Sequence, residues 1–474
     1  MKLAVAKSCL YRGYHCQCRA YRTVLVVVLF AGMPMSWVNA AVHDYTIRVD
    51  ATLSSVQVEA RLSETGLLLS SGRGGTARLR EVAGCSGEVV QRRGGSLRSS
   101  GRCLRYTASI RPPLSNQTRR PQWPQVGHKY WLWLPPLAAE DVVRISLDLP
   151  EGVRAFVPWR RLDADRYELR GSPGSGDALA RFGRIAESSL LVQDTSIPLF
   201  VLDSGLAAER MTDWLTEAAG LVASVGGRFP NPHALVVVEP GETSLFGDSV
   251  VPFGHVMRSG EEVVRFFVKP GASLEALRDD WTAVHEFSHL LLPYVRDDQK
   301  WISEGFASYY QNVLLARGGI YSETEAWRRL VRSFGNAAAT RDPASPNGTA
   351  ARSFREVRML IYWSGAALAL MIDVELRQQT DGQQSLDSVL GQLADCCLPS
   401  SRTWAGRDLF AKLDALSETS VFTLHYDRYA DQPGMPPYAA TLESLGVEAN
   451  GNSVQLNDRA PRAAIRRAIM RRNP

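Results

Sequence analysis

The sequence predicts a protein of mixed α and β class. A β-sandwich-like N-terminal domain is expected over residues 41–195, an α/β region over 196–335 and a mainly helical part over 336–474. Three observations carry this. Apolar and polar residues alternate with a period near two through Tyr45–Leu53 and Val142–Leu149. Two apolar strand-like runs, Ile197–Leu202 and Ala234–Val238, flank a segment of helical periodicity, Leu206–Val225. Beyond Ser322 the pattern is almost wholly helical. The composition of 45% hydrophobic and 22% charged residues, with 38 Gly and 25 Pro in 474 residues, is that of globular protein. It excludes a disordered, collagen-like or multi-span membrane chain.

Taken in order, residues 1–40 read as a secretory signal peptide. A basic stretch ends at Arg22, an uncharged apolar run follows, and Val38-Asn39-Ala40 offers a small-residue cleavage site. The protein is therefore expected to be exported, periplasmic or secreted, with an uncleaved membrane anchor as the lesser alternative. The formal charge of +5 belongs to this leader, which holds five basic residues and no acid; without it the 49 acidic residues face an equal number of basic ones. A nucleic-acid partner loses its support.

In the β-rich part, Tyr130–Leu134 is a third strand candidate, and glycine clusters and Pro112-Pro113 break the runs. Cys85 and Cys103 lie in strand-like sequence 18 positions apart and are the favoured disulfide pair. Cys396-Cys397 reads either as a vicinal bridge or as two small buried thiols. A polar stretch opens at Gly171. Further on, Val263–Lys269 is another strand. Ser273 is an N-cap candidate for a helix running to Leu292, where Pro293 stops it. The next helix is expected after Ser303, and Ser322-Glu-Thr-Glu325 is a capping box for another. Helical pattern resumes from Glu356 to Leu393 with a break near Asp381-Gly382. The basic tail, Arg459–Arg472, is expected as a frayed terminal helix, or as a segment touching a membrane surface.

The chemistry-bearing segment is His285-Glu286-Phe287-Ser288-His289. On a helix, positions i and i+4 lie on one face one turn apart, so both imidazoles can share a metal. Glu286 sits to the side, suited to take a proton from a metal-activated water. The apolar neighbours Val284, Phe287, Leu290 and Leu291 argue against a solvated face, and a buried His-Glu-His cluster without a partner would be costly. Glu304 follows at the start of the next helix. Read alone it is an acid favoured by the helix dipole; beside HExxH it is the third ligand candidate. Two imidazoles and one carboxylate suit a single catalytic Zn2+ per chain.

These residues carry a resemblance. HEFSH followed by WISEGFASYY is similar to the gluzincin metallopeptidases and, within them, to the glycyl aminopeptidase family, whose members often carry a PDZ domain. Tyr362-Trp-Ser-Gly365, the run to Arg377, Thr380–Asp387 and Leu442–Gly446 agree with it. The resemblance implies a thermolysin-like catalytic domain after the β-domain. It implies that Tyr362 donates to the oxyanion, with Ser364 standing where related enzymes have lysine; the alternative is a core aromatic. No segment of PDZ length follows Leu445, so that accessory is expected to be absent. The Gly-Ala-Met-Glu-Asn segment of aminopeptidase N types is not found. The nearest acids, Glu261 and Glu262, read as solvated hairpin residues. His255 and Arg258 either line the cleft or belong to a loop.

The expected function is an exported zinc metallopeptidase acting on peptide or protein substrates, with Glu286 as general base and an aminopeptidase activity in view. The alternatives are a non-catalytic peptide-binding protein of the same fold and a zinc hydrolase of non-peptide substrates. Membrane contact would come only through an uncleaved leader or the basic tail, and no oligomeric state is implied.

Overall fold

The computed structural model describes residues 40–471 except 73, 112–124, 139, 172–178, 203–204, 243–248, 341–342 and 452. The leader apart from Ala40, Pro112-Pro113 and most of the polar stretch after Gly171 lie outside the described residues. The fold class is mixed α and β, with β-structure first and helices last.

The N-terminal part is built on a seven-stranded sheet whose centre is Val42–Val49. That strand runs antiparallel to Ser55–Arg61 and parallel to Val142–Asp148. Alternation along it sends Tyr45, Ile47 and Val49 into a core. There they meet Trp131, Trp133 and Trp159, together with Leu69 and Leu97 from a small three-stranded sheet. Cys103, heading the strand Cys103–Ser109, is joined to Cys85. Cys396 and Cys397 are bridged to each other at the end of the helix Leu386–Cys397.

Tyr130–Leu134 is not a strand. It follows a 3-10 turn, His128–Tyr130, and only Leu134 makes a bridge, to Ser70. Trp131, Leu132 and Trp133 are all buried, so the run lacks the alternation a half-exposed strand needs. Side chains satisfy its backbone instead: Trp133 N–H donates to the Tyr106 hydroxyl at 2.9 Å, and the Tyr45 hydroxyl donates to Trp133 O at 2.9 Å.

A second sheet has five strands in the order Ala186–Val192, Thr195–Val201, Leu235–Pro240, Val263–Val268 and Phe253–Met257. The middle three are parallel and the last is an antiparallel edge. Both faces are covered. Val236, Val238, Val264 and Phe266 face the helical core. Leu235, Val237 and Val263 face Phe156 and Leu179 of the N-terminal part.

The helix expected over 274–292 is in two pieces. Leu274–Asp279 begins at Ser273, whose hydroxyl accepts from Ala276 N–H. The chain breaks at Asp280, which accepts from the Ser249 hydroxyl and from Thr282 N–H and so opens a second helix, Thr282–Ser288. This motif helix ends in a 3-10 turn, His289–Leu291. The helix Trp301–Arg317 starts before Ser303, which is used otherwise. Ser322 caps Glu323–Ala338 as expected, but Glu325 pairs with Arg328 and Arg329 rather than closing the box.

The long helix Phe354–Gln379 is apolar enough by length and composition to span a membrane, yet 78% of an apolar 18-residue stretch within it is buried inside the protein. It crosses Trp301–Arg317 at two glycines. A Cβ on Gly305 would lie 2.3 Å from Gly365 Cα, and one on Gly365 would lie 2.2 Å from Trp301 O. Only glycine permits that approach, and it sets Tyr362 beside Glu304. Gly365→Val should force the helices apart and cost at least about 2 kcal/mol in denaturant unfolding. Gly335→Ala, on an open helix face, should be neutral or slightly stabilising. Equal stability of the two variants would refute the crossing argument.

The terminal helix Ala463–Met470 is docked rather than frayed. Arg466 is 2% exposed and pairs with Glu323 and Asp458, and Ile469 O accepts from Arg317.

Candidate metal centre and active site

The motif helix is buried through all seven residues because Phe287 packs between Phe229 and Phe266 while Leu290 and Leu291 continue into the same core. This anchoring turns His285 and His289 toward the helix Trp301–Arg317. Glu304 Oε2 lies 3.3 Å from His285 Nε2 and 3.6 Å from His289 Nε2. One donor atom from each residue falls within 4.8 Å of the others.

The far ring nitrogens are held from behind. His285 Nδ1 is 2.8 Å from Gln311 Oε1, and His289 Nδ1 is 2.8 Å from Ser303 Oγ. These bonds direct both Nε2 atoms inward and fix the rings nearly perpendicular, at 89°. Gln311 was not singled out from sequence, and Ser303 was read there only as the residue before a helix. The available signal was a polar residue on the helix that carries the third ligand: Gln311 is two turns after Glu304, on its face, and Ser303 is adjacent to it.

Burial and charge oppose each other here. Burial pushes His289 down to about 3, against the pull of Glu304. Burial alone would raise Glu304, but His289 and His285 bring it below its ordinary value. Burial would likewise lower His285, but its hydrogen bond to Glu304 and the charge of Glu286 raise it. An unprotonated imidazole and an ionised carboxylate thus converge in a buried place, a donor set that a cation satisfies. The residues fit a tetrahedral metal with one open position.

Glu286 is buried to the side of the set, against the edge strand. Gly254 faces it so closely that a Cβ there would sit 2.6 Å from Glu286 Cγ. Burial pushes its carboxyl up to about 8; His285 opposes and Glu304 adds to the rise. Tyr362 stacks on His285 with ring centroids 5.8 Å apart and hydrogen-bonds to Glu304. Its phenol is pushed well above the ordinary value, by burial first and then by Glu304 and Glu286. Ser364 points elsewhere: fully buried, it donates to Leu360 O within its own helix.

The other candidates are resolved by their partners. Arg258 donates to the carbonyls of His289 at 2.9 Å and Leu292 at 3.3 Å, closing the end of the motif helix. Glu262 is not a solvated acid; it binds Arg258 at 2.5 Å and Asn231 at 2.8 Å. Glu261 is partly buried too, and burial pushes it up to about 7. His255 lies on the edge strand between Gly254 and Val256, on the face shared with Phe253 and Met257, opposite the face that meets Glu286. Burial and Arg265 bring it down to about 4.

Behind the centre, Tyr309 donates to Asp373 at 2.7 Å and Tyr310 to Asp387 at 2.9 Å, while Arg377 and Arg317 pair with the same two acids. The motif after Glu304 is thereby tied to the runs ending at Arg377 and Asp387.

The fold and the converging donor set resemble those of the gluzincin, aminopeptidase-like metallopeptidases. Residues 292–363 match the family model described as M61 glycyl aminopeptidase. That segment includes Glu304 and Tyr362 and begins just after His289. Among solved structures, the chain is similar to an aminopeptidase N family protein from Idiomarina loihiensis, at 14% identity and a TM-score of 0.61, covering 88% of this chain and 82% of that one. It is also similar to an M1 zinc metallopeptidase from Deinococcus radiodurans, at 13% identity and a TM-score of 0.51, covering 84% and 95%. At these identities the likeness is one of fold. A comparison with curated proteins finds no match.

Proposed function

We propose that this chain is an exported, zinc-dependent metallopeptidase that hydrolyses peptide bonds, with aminopeptidase action as the mode to test. The observation that carries the reading is the convergence of His285, His289 and Glu304 on one buried point, with Glu286 and Tyr362 on either side. Export rests on the leader sequence, and zinc on the donor set and on the fold shared with the Deinococcus zinc metallopeptidase. A zinc ion held by the three donors would supply the Lewis acidity that lowers the pKa of water and polarises a scissile carbonyl. Glu286 takes the proton of the attacking water and passes it to the leaving amine. Tyr362 donates to the oxygen that gains negative charge. The outer edge of Phe253–Met257 is free of sheet partners among the described residues, so an extended peptide can pair along it.

The test is hydrolysis of a mixed peptide library by the purified protein, with free and N-acetylated peptides compared. Cleavage should be lost with chelator and restored by zinc, at one zinc per chain. Tyr362→Phe should lower turnover about 10²–10³-fold with zinc content unchanged. Cleavage indifferent to chelator, or none with a full zinc complement, would exclude the reading.

A further inference from the structure

A cavity of about 470 Å³ opens beside the centre. Two of its lining residues belong to the centre as well: Gln311, which holds His285, and Tyr362. The rest of its polar wall is unusual in charge. Arg328, Arg329 and Arg332 line it from the helix Glu323–Ala338, and Arg358 lines it from the long helix, one turn before Tyr362. No Asp or Glu is among the lining residues.

The arginines are placed by the fold. Trp327, Leu330 and Phe334 bury the opposite face of their helix, which leaves Arg328 and Arg332, four residues apart, directed to the cavity. Glu325 grips Arg328 at 2.6 Å and Arg329 at 2.7 Å from outside the cavity, fixing both but offsetting only one charge. Arg332 is exposed and has no ion partner among the described residues. Arg358 is near enough for its charge to act on the Tyr362 phenol. Arg328 and Arg329 share the one Glu325 carboxylate and Arg332 adds a third charge, so this side of the cavity stays net positive and an anion entering it offsets that charge. Planar guanidinium forks match a carboxylate in geometry as well as charge.

We propose that this cavity is a substrate pocket for a carboxylate of the bound peptide; the peptide part of the assignment rests on the peptidase reading above. Tyr362, which lines the cavity and stacks on His285, is the link between the cavity and the centre. Its source is either an acidic side chain or the free C-terminus of a short peptide, and both present the same group to the same wall.

The experiment separates these sources and separates the pocket from the peptidase activity. Zinc-loaded Glu286→Gln protein is titrated with peptides matched as Glu and Gln at each position in turn, all amidated at the C-terminus. A second set, lacking acidic side chains, is compared as free acid and amide. One set should show the acid form binding at least about 10-fold more tightly, the scale of a hydrogen-bonded charge. Arg332→Glu, an exposed change with little risk to folding, should erase or invert that preference, and Arg358→Gln should reduce it. Equal binding of acid and amide in both sets, or no binding of either, overturns the pocket. A preference unmoved by Arg332→Glu overturns it too. Hydrolysis by the parent protein is measured on the same peptides. Cleavage without acid preference removes the pocket and leaves the peptidase reading standing; acid-selective binding without cleavage does the reverse.

Discussion

Glu286→Gln should lower peptide turnover by about 10²–10⁴-fold while zinc stays bound near one per chain. The substitution keeps the size of a side chain that is buried against Gly254, so neither the edge strand nor the motif helix has to move. It removes the proton acceptor and no donor of the converging set, because His285, His289 and Glu304 make their contacts without it. Steady-state turnover and elemental analysis on the same preparation decide the matter. Turnover within a few-fold of the parent would remove Glu286 from the mechanism. Loss of zinc alongside turnover would show that it acts as a ligand.

His289→Ala should have the opposite signature, with zinc lost and turnover lost together. Removing a group that only orients a ligand typically costs 10–100-fold in metal affinity, and removing the ligand itself should cost more. The change also leaves the Ser303 hydroxyl without its ring partner and opens space next to Glu304. The N-terminal sheet should stay folded, since its core shares no residue with the motif helix. Zinc titration of the metal-free variant, with circular dichroism as the folding control, gives the result. Zinc retained at full stoichiometry would mean that the metal sits elsewhere.

Much of the fold was legible because the signals were local. Alternation in Val42–Val49 and Val142–Asp148 reports one buried face, which is what the sheet has. Ser273 and Ser322 cap helices where their positions suggest. The misreadings have tertiary causes. Tyr130–Leu134 looked like a strand because it is apolar, but it lies buried with its backbone satisfied by two tyrosine hydroxyls from distant strands. The break at Asp280 depends on Ser249, 31 residues earlier. Glu262 looked solvated until Arg258 and Asn231 were placed around it. Arg466 looked like part of a loose basic tail until Glu323, 143 residues away, was brought to it.

By itself, then, the sequence determined what depends on neighbours within a turn or two. It set the pairing of His285 with His289 on one helical face, Glu286 at their side, and a helix start that carries Glu304. Helical geometry dictates these relations whatever the rest of the chain does. Tertiary structure alone decided how the two halves of the site meet. The turn after Leu292 brings Glu304 to the imidazoles, Gln311 and Ser303 aim them, and Gly305 against Gly365 lets the long helix carry Tyr362 into contact. The arginine-lined cavity exists only where three helices pack side by side. None of this is periodic in sequence, because each contact joins residues whose separation along the chain carries no information about their distance in space.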